Sequence, residues 1–255
     1  MAELIKIEKV NKVFHSRKGD INALGPLDLS IESREFVSFL GPSGCGKTTL
    51  LMIIAGLIKP TSGKVLIEGN IVDKPQTTTG IAFQDSALVD WLDVLDNVLL
   101  QIEMRNLEIS KYKEKAKELL ASVGLIDFLK YHPYELSGGM KMRTAFCRAL
   151  IHEPSLILMD EPLGALDAMT RSQLRRDIEK LWSKTKKTFL LVTHDIAEAV
   201  QLSNKIIIMT PRPGKIVKIL DIKLPRPRGE EVLESLQFIE YNREIKEIFR
   251  GYGAI

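Results

Sequence analysis

The segment Gly41-Pro-Ser-Gly-Cys-Gly-Lys-Thr48 constrains the fold more than any other part of this 255-residue chain. It follows the apolar run 36–40, which predicts a buried strand, and precedes an apolar stretch from Thr49, which predicts a helix. A glycine-rich turn in that position fits the phosphate-binding loop, because its backbone N–H groups converge on phosphate oxygens and the helix adds its positive end. The alternative, a glycine-rich turn that binds nothing, is weaker because Lys47 and Thr48 are both in register.

The residue types in this loop indicate what each position does. Lys47 should reach the β- and γ-phosphates of a nucleotide, and the Thr48 hydroxyl should hold Mg²⁺. The predicted phosphate-binding residues are Gly41, Pro42, Ser43, Gly44, Cys45, Gly46, Lys47, Thr48 and Thr49.

Other apolar runs predict an α/β chain. Apolar residues alternate with polar neighbours at Leu27, Leu29 and Ile31, which is typical of a strand with one buried face. The runs 156–159, 189–192 and 206–209 are continuous and apolar, as expected for parallel strands buried on both faces. Strands of both kinds with helices between them indicate an α/β fold class.

The spacing of apolar residues becomes helical between Gln84 and Ser137. Two sets follow the i, i+3, i+4, i+7 pattern: Leu95, Val98, Leu99 and Ile102, then Ala116, Leu119, Leu120 and Val123. We therefore expect a helical subdomain inserted at about residues 86–147, with Ser110 as the N-cap of its second helix and Gly124 just past that helix. A C-terminal helical tail at about 229–255 should pack on the protein's own body through Ile245, Ile248, Phe249 and Tyr252.

Two carboxylates, Asp160 and Glu161, end the apolar run 156–159. Ligands of open α/β sheets bind at the carboxyl ends of the strands, so both side chains should face the site. Asp160 suits the Mg²⁺ shell, and Glu161 is placed to orient or deprotonate an attacking water. For an isolated Asp-Glu pair a surface salt bridge would be the better interpretation, but the buried strand and the phosphate loop favour the functional one.

His194 and Gln84 also follow predicted strands, at 189–192 and 81–83. A lone histidine is usually structural, but on the same sheet edge as Lys47 and Glu161 it becomes a credible contact to the γ-phosphate or the attacking water. The Gln84 amide can ligate Mg²⁺ or water. The candidate catalytic residues are Glu161, His194, Gln84 and Lys47, and the candidate metal ligands are Thr48, Gln84 and Asp160.

The segment Leu136-Ser-Gly-Gly-Met140 opens a helix with an apolar face. Free N–H groups and the helix dipole make its start a second anion site. In isolation, a capped helix start with a flexible lead-in would be the simpler interpretation. Because the segment lies in a helical insert far in sequence from the phosphate loop, we expect a second copy of the chain to complete a composite site.

Composition excludes several other classes of protein. The chain is 45% hydrophobic and 27% charged, and its 36 basic and 33 acidic residues leave a net charge of only +3, so we expect no nucleic-acid partner. No apolar stretch approaches the roughly 20 residues of a bilayer-spanning helix, and the charged start predicts no secretory signal. Two cysteines are too few for a disulfide framework.

From the first strands to about Arg228, the order of these motifs resembles that of the ATP-binding subunits of ATP-binding cassette transporters. The resemblance implies one domain over 1–255: a RecA-like P-loop NTPase core, an N-terminal antiparallel β subdomain and a helical subdomain carrying the signature motif at Ser137. It also implies ATP and Mg²⁺ as cofactors and a homodimer in the ATP-bound state.

The same resemblance implies further contacts. Phe14 would stack on adenine, and Ser137, Gly138 and Gly139 would contact the nucleotide across a head-to-tail dimer. Asp167 would couple the two sites. The surroundings of Gln84 would line a groove for an integral membrane permease.

A closer resemblance is to the nitrate, sulfonate and taurine import branch. Its marks are Gln84-Asp-Ser-Ala-Leu88, Trp91, Leu95-Asp-Asn-Val98, Gly164-Ala-Leu-Asp-Ala168, Thr170-Arg171, Arg212-Pro-Gly-Lys215 and Pro225-Arg-Pro-Arg228. The branch implies import of a small anion, an extracytoplasmic solute-binding protein as indirect partner, and a peripheral location on the cytoplasmic face of the inner membrane. Departures from its pattern are Val89-Asp90 for Leu-Pro, Met142 for Gln, Leu163 for Phe and Arg34 for Gly.

Two other functions remain as alternatives. A cytosolic cassette ATPase acting on nucleic acid or ribosomes would usually carry long coiled coils or a second cassette, and neither pattern occurs in this sequence. A regulatory module that binds ATP without hydrolysis would not need Lys47, Asp160, Glu161 and His194 together.

Overall fold

A computed structural model of the chain describes residues 2–17 and 19–253. The chain divides into two compact units, one formed by Met1–Gln76 with Trp182–Ile255 and the other by Thr77–Leu181. The elements of the first unit are β1 (Glu3–Phe14), β2 (Ile21–Glu32), β3 (Phe36–Leu40), α1 (Lys47–Ile54), β4 (Ser62–Ile67), β5 (Asn70–Ile71), β8 (Thr188–Thr193), α6 (Ile196–Leu202), β9 (Lys205–Met209), β10 (Ile216–Asp221) and α7 (Leu236–Gly251). Those of the second are β6 (Thr79–Ala82), α2 (Val94–Glu103), α3 (Lys113–Ser122), α4 (Gly138–Leu150), β7 (Leu156–Asp160) and α5 (Ala168–Thr185), whose last turn continues into the first unit's sequence.

The first unit contains an antiparallel sheet in the order β2-β1-β4-β5. Leu27, Leu29 and Ile31 of β2 are buried and alternate with exposed residues. The predicted alternation, and with it an N-terminal antiparallel β subdomain, is confirmed. One face of this sheet therefore packs inward while the other carries polar side chains.

The same unit contains a second set of strands, in which β3 pairs in parallel with β8 and with β9, and β10 pairs antiparallel with β9. Every residue of β3 and β8 is buried. This burial explains why both sequences are apolar without alternation and confirms the predicted parallel strands. Leu40 lies opposite Thr193, so the residues that follow β3 and β8 leave the sheet side by side.

Helix α7 packs against the hydrophobic core of the first unit. Its Ile245 and Phe249 are buried in one cluster with Ala199 and Val200 of α6. The predicted packing of the tail on the protein's own body is confirmed for these positions, whereas Tyr252 is 52% exposed.

In the second unit, β6 pairs in parallel with β7, and Ala82 lies opposite Met159. Helices α2 and α3 confirm the helical periodicity of this segment, and Gly124, with a φ of 73°, follows the end of α3 as predicted. Ser110 is not the N-cap of α3. It lies in a 3-10 turn, Ile109–Lys111, and its hydroxyl donates to the carboxylate of Glu108 at 2.6 Å.

Cys45 and Cys147 are buried free thiols, and burial raises the pKa of Cys147 to about 12, which keeps it protonated. Within 2–17 and 19–253, no helix has both the length and the apolar composition that a membrane crossing demands.

The departure at Arg34 has a conformational consequence. Arg34 lies in the turn between β2 and β3 with a φ of 67°, and its backbone N–H donates to Thr188 Oγ1 at 2.8 Å. This left-handed conformation costs an L-residue about 1 kcal/mol, whereas glycine adopts it freely. The glycine usual in the branch therefore suits this turn better.

We expect Arg34→Gly to raise the free energy of unfolding by about 1 kcal/mol, because it removes the left-handed strain at an exposed position. Arg34→Ala is the matched control, since it removes the side chain but keeps Cβ. Thermal denaturation of the three proteins measures the effect, and a shift of about 2–4 °C for the glycine variant alone is the expected result. An equal shift in both variants would contradict the explanation.

Candidate nucleotide site

The phosphate loop needs glycine at two positions for reasons visible in the backbone. Gly44 and Gly46 have φ values of 74° and 106°. A Cβ at Gly46 would lie 2.6 Å from Leu24 Cδ2 and 2.7 Å from the carbonyl oxygen of Ala23. Gly46 is also the N-cap of α1 and makes no side-chain cap hydrogen bond, so the positive end of the helix dipole lies at the phosphate loop.

Lys47 is buried inside this loop, with only 4% of its surface exposed. Its Nζ donates to the carbonyl oxygens of Gly41 at 2.8 Å and Pro42 at 3.0 Å. A buried ammonium requires such partners, and these carbonyls hold one positive charge within the loop. Thr48 is exposed in the first turn of α1.

The segment 212–215 supports the loop, a role that the sequence did not indicate. Gly214 donates its N–H to Ala23 O at 3.1 Å and accepts the N–H of Gly25 at 3.0 Å. A Cβ on Gly214 would collide with the carbonyl of Cys45. Arg212 Nε donates to Gly44 O at 3.3 Å, so this branch motif packs directly on the phosphate loop.

His194 is exposed one residue beyond β8, just as Gly41 is one residue beyond β3. Because Leu40 and Thr193 are paired, the histidine and the start of the phosphate loop leave neighbouring strands at the same edge. The first unit therefore brings together two of the predicted elements, the phosphate loop and His194.

Phe14, the last residue of β1, is 38% exposed. Lys12 Nζ lies 4.9 Å from the centroid of its ring and donates to Lys59 O at 2.8 Å. The ring therefore combines an exposed aromatic surface with an adjacent cation, which suits stacking on a base that carries phosphates.

The second unit brings Gln84 and Glu161 together. Each lies two residues beyond a paired position, Ala82 in β6 and Met159 in β7. A Cβ built on Gly164 would lie 3.5 Å from Gln84 Nε2 and 3.9 Å from Glu161 Oε2, so both side chains reach the same small region. Glu161 has a φ of 45°, which is a left-handed backbone conformation. This conformation is strained for a residue other than glycine, and such strain clusters at functional sites.

Ser137 and Asp167 begin two helices of this unit. Ser137 is the N-cap of α4, and its Oγ accepts the N–H of Met140 at 3.3 Å. Gly139 packs against Thr170 of α5, which leaves no space for a Cβ. Asp167 Oδ1 accepts the N–H groups of Met169 and Thr170, and the bond from Thr170 is the main cause that lowers the pKa of this exposed carboxyl.

The loop after Gln84 is held by two side chains whose role the sequence did not indicate. Arg148 donates to Ser86 O at 2.7 Å and to Ala87 O at 2.8 Å. Asn97 is fully buried: its Nδ2 donates to the carbonyls of Val89, Leu92 and Asp93, and its Oδ1 accepts the N–H of Val89 at 2.8 Å. Trp91, 81% exposed, is presented by this fixed loop.

A cavity of about 460 Å³ lies beside this loop within the second unit. Its lining includes Gln84, Gly138, Pro162 and Leu166, together with Met142, which stands where the branch usually has Gln. Met142 is 4% exposed, so the substitution replaces an amide by an apolar side chain in the wall of the cavity.

The residues predicted for Mg²⁺ fit that ion chemically. Thr48, Gln84 and Asp160 offer a hydroxyl, an amide oxygen and a carboxylate, all hard oxygen donors. Mg²⁺ is usually held by one or two carboxylates with phosphate oxygens and water, so a small set with one carboxylate is appropriate. Asp160 is half-buried at the end of β7, and Thr48 and Gln84 are exposed.

Comparisons with known proteins agree with this geometry. The family model described as ABC transporter matches residues 24–164. An aliphatic sulfonates import ATP-binding protein, SsuB, of Bacillus cereus is 41% identical over 98% of this chain and 98% of that protein. A taurine import ATP-binding protein, TauB, of Pelagibacter ubique is 44% identical over 86% of this chain and 82% of that protein.

Among solved structures, a dimeric post-hydrolysis state of the ATP-binding cassette MJ0796 bound to ADP and Pi is 32% identical. It has a TM-score of 0.75 and covers 87% of this chain and all of that chain. The predicted α/β, P-loop NTPase fold is thereby confirmed. With matches of this extent and a phosphate loop of the required backbone geometry, the chain belongs to the ABC transporter family and is one of its ATP-binding, ATP-hydrolysing subunits.

Proposed function

We propose that this subunit energises the import of a small anion of the sulfonate, taurine or nitrate type. The observation that carries the proposal is that proteins named for sulfonate and taurine import match this chain at about 40% identity over most of its length. The residues held rigidly around Trp91 and the supporting 212–215 segment belong to the same branch pattern. These features favour an importer over an ATPase that acts on nucleic acid.

In this proposal the chain works as a peripheral subunit on the cytoplasmic face of the inner membrane. Integral permease subunits contact the loop of Gln84 and Trp91, and an extracytoplasmic solute-binding protein delivers the solute to them. Arg148 of α4 and Asn97 of α2 support the contact because they fix carbonyl groups of the loop. A fixed loop transmits a displacement better than a mobile one.

The phosphate loop binds the triphosphate through the N–H groups of residues 41–49, and Phe14 stacks on adenine. Lys47 supplies the charge that opposes the β- and γ-phosphates, and its burial makes that charge more effective than an exposed one. Mg²⁺ held by Thr48, Gln84 and Asp160 would neutralise charge on the phosphate oxygens.

Glu161 orients the attacking water and accepts its proton, and His194 contacts the γ-phosphate or that water. The Gln84 amide and the Glu161 carboxylate lie 3.5 and 3.9 Å from the position that a Cβ on Gly164 would take, and this shared position supports the role, because the amide can fix the water that the carboxylate polarises. Phosphoryl transfer asks mainly for such positioning and for charge stabilisation.

Each site is completed by a second copy of the chain in the ATP-bound state. Ser137, Gly138 and Gly139 offer the start of α4 to the γ-phosphate of the partner's nucleotide, and Asp167 links the two sites. Ser137 and Gly138 are exposed, as such a contact requires. The dimeric form of the ADP-bound relative supports this arrangement.

Transport is tested by deleting the gene in its native host and measuring growth and uptake. We expect loss of growth on taurine, an alkanesulfonate or nitrate as sole source of the element concerned, with normal growth on sulfate and ammonium. The wild-type gene should restore growth, and a Lys47→Ala gene should not. Unchanged uptake of all three anions, with nucleic acid instead of a membrane protein in the purified complex, would overturn the proposal.

Glu161→Gln should lower steady-state phosphate release by about 100-fold or more, because the variant keeps the side-chain volume but loses the base. ATP should still bind and should trap a dimer, which light scattering measures. Glu68→Gln is the matched control, since Glu68 is an exposed glutamate with a similar φ of 51°. Normal hydrolysis by Glu161→Gln would remove this residue from the role.

Phe14→Ala should weaken ADP binding by roughly 1–3 kcal/mol, or about 5- to 150-fold in Kd, through loss of adenine stacking. Phe14→Tyr should retain affinity because it keeps the ring. Calorimetric titration measures both variants. Equal affinity of the alanine variant and the wild type would show that adenine stacks elsewhere.

A further inference from the structure

A guanidinium is buried in the first unit, away from the residues assigned to ATP. Arg228, the last residue of the Pro225-Arg-Pro-Arg228 segment, is only 2% exposed. A buried cation is costly unless hydrogen bonds compensate for lost hydration. Its contacts therefore identify the part of the fold that it holds.

Arg228 joins two pieces of chain through their carbonyl groups. Its Nη1 donates to Val200, Gln201 and Ser203, at 3.1, 3.3 and 2.6 Å, all at the C-terminal end of α6. Its Nη2 donates to Ile222 at 3.1 Å and Leu224 at 3.0 Å, just beyond β10. The end of a helix has unsatisfied carbonyls and partial negative charge, so a cation there fixes it strongly.

Neighbouring groups reinforce the same end of α6. Arg226 Nη2 donates to Leu202 O at 2.7 Å, and its guanidinium lies 4.0 Å from the ring centroid of Trp182. The Gln201 amide donates back to the carbonyls of Arg228 and Gly229, at 3.3 and 3.2 Å. The 225–228 segment thus clamps the helix end from several directions.

The other end of α6 carries His194. Asp195 caps the helix by accepting the N–H of Glu198 at 3.0 Å, and the Glu198 carboxylate accepts the Thr193 hydroxyl at 2.7 Å. Thr193 Oγ1 also accepts the N–H of Asp195 at 3.0 Å. His194 therefore sits in a hydrogen-bonded turn continuous with a helix of seven residues, about 10 Å long.

We propose that Arg228 is a positioning residue for ATP hydrolysis: by fixing the C-terminal end of α6, it sets the place of His194 at the opposite end. The inference rests on the proposed role of His194 at the γ-phosphate or the attacking water. A short helix held at one end by a charge and at the other by a cap moves as one body. If the C-terminal end of α6 shifts because the Arg228 contacts are lost, the His194 imidazole therefore shifts with it.

The test separates this role from a general contribution to stability. Arg228→Met removes the donors, and Arg228→Lys keeps the charge and part of the hydrogen bonding. We expect kcat for ATP hydrolysis by the full chain to fall about tenfold to a hundredfold in the methionine variant and less in the lysine variant. The Kd for ADP should stay within about twofold, because the phosphate loop and Phe14 are untouched.

A double-mutant cycle with His194→Ala gives the decisive readout. If Arg228 acts through His194, then Arg228→Met adds no further loss of kcat once the imidazole is gone. A different result would overturn the inference and leave the proposed function intact: His194→Ala alone lowers kcat, and the double variant loses kcat by the product of the two single losses. Normal kcat in His194→Ala would overturn both the role of His194 and the inference that rests on it.

A second variant, Arg226→Met, tests the same inference if the Arg228 variants fail to fold. Arg226→Met removes the bond to Leu202 from a half-buried position, and we expect a smaller loss of kcat, about threefold, that is again absent in the His194→Ala background. Arg243→Met, on the exposed side of α7, is the matched control and should keep wild-type kcat and Kd. Wild-type kcat in Arg226→Met would then overturn the proposal.

Discussion

Close approach of the phosphate loop to β2 is the constraint on which the site depends. Gly46 lies against the Ala23 carbonyl and the Leu24 side chain with a left-handed φ, so the chain can turn from β3 into α1 only with glycine there. This turn places the start of α1 at the loop and buries the Lys47 amine against the carbonyls of Gly41 and Pro42. The 212–215 segment packs on the same loop from another element, so its shape is held by several independent contacts.

Parallel pairing explains why distant motifs form clusters. Leu40 opposite Thr193 brings the phosphate loop beside His194, and Ala82 opposite Met159 brings Gln84 beside Glu161. Gly41, His194, Gln84 and Glu161 each follow a strand by one or two residues, where strand pairing still fixes the direction of the chain. The positive φ of Glu161 marks the point at which the chain leaves that regular geometry.

The sequence predicted the features that have a periodic or motif signal. Strands β3, β7, β8 and β9, the helices after Gln84 and the glycine after α3 were all predictable because burial on two faces, helical spacing and left-handed caps leave local patterns. Ser110 was misplaced because the same residue type serves as a helix cap or, as here, as a partner for Glu108 in a short turn. Arg148 and Gly214 donate to carbonyls that are distant in sequence, and no local pattern predicts such bonds.

The polar side chains discussed above fall into two groups that make different contacts. Glu161 and His194 lie just beyond strand ends, whereas Asn97, Arg148 and Arg228 donate hydrogen bonds to backbone carbonyls of loops and helix ends. A side chain that bonds carbonyls fixes a segment regardless of what the segment's own side chains are. The departure at Val89 is therefore compatible with a fixed loop, because Asn97 bonds the backbone N–H and carbonyl of Val89 and not its side chain. Such a scaffold can change the surface offered to a permease while the ATP chemistry stays the same.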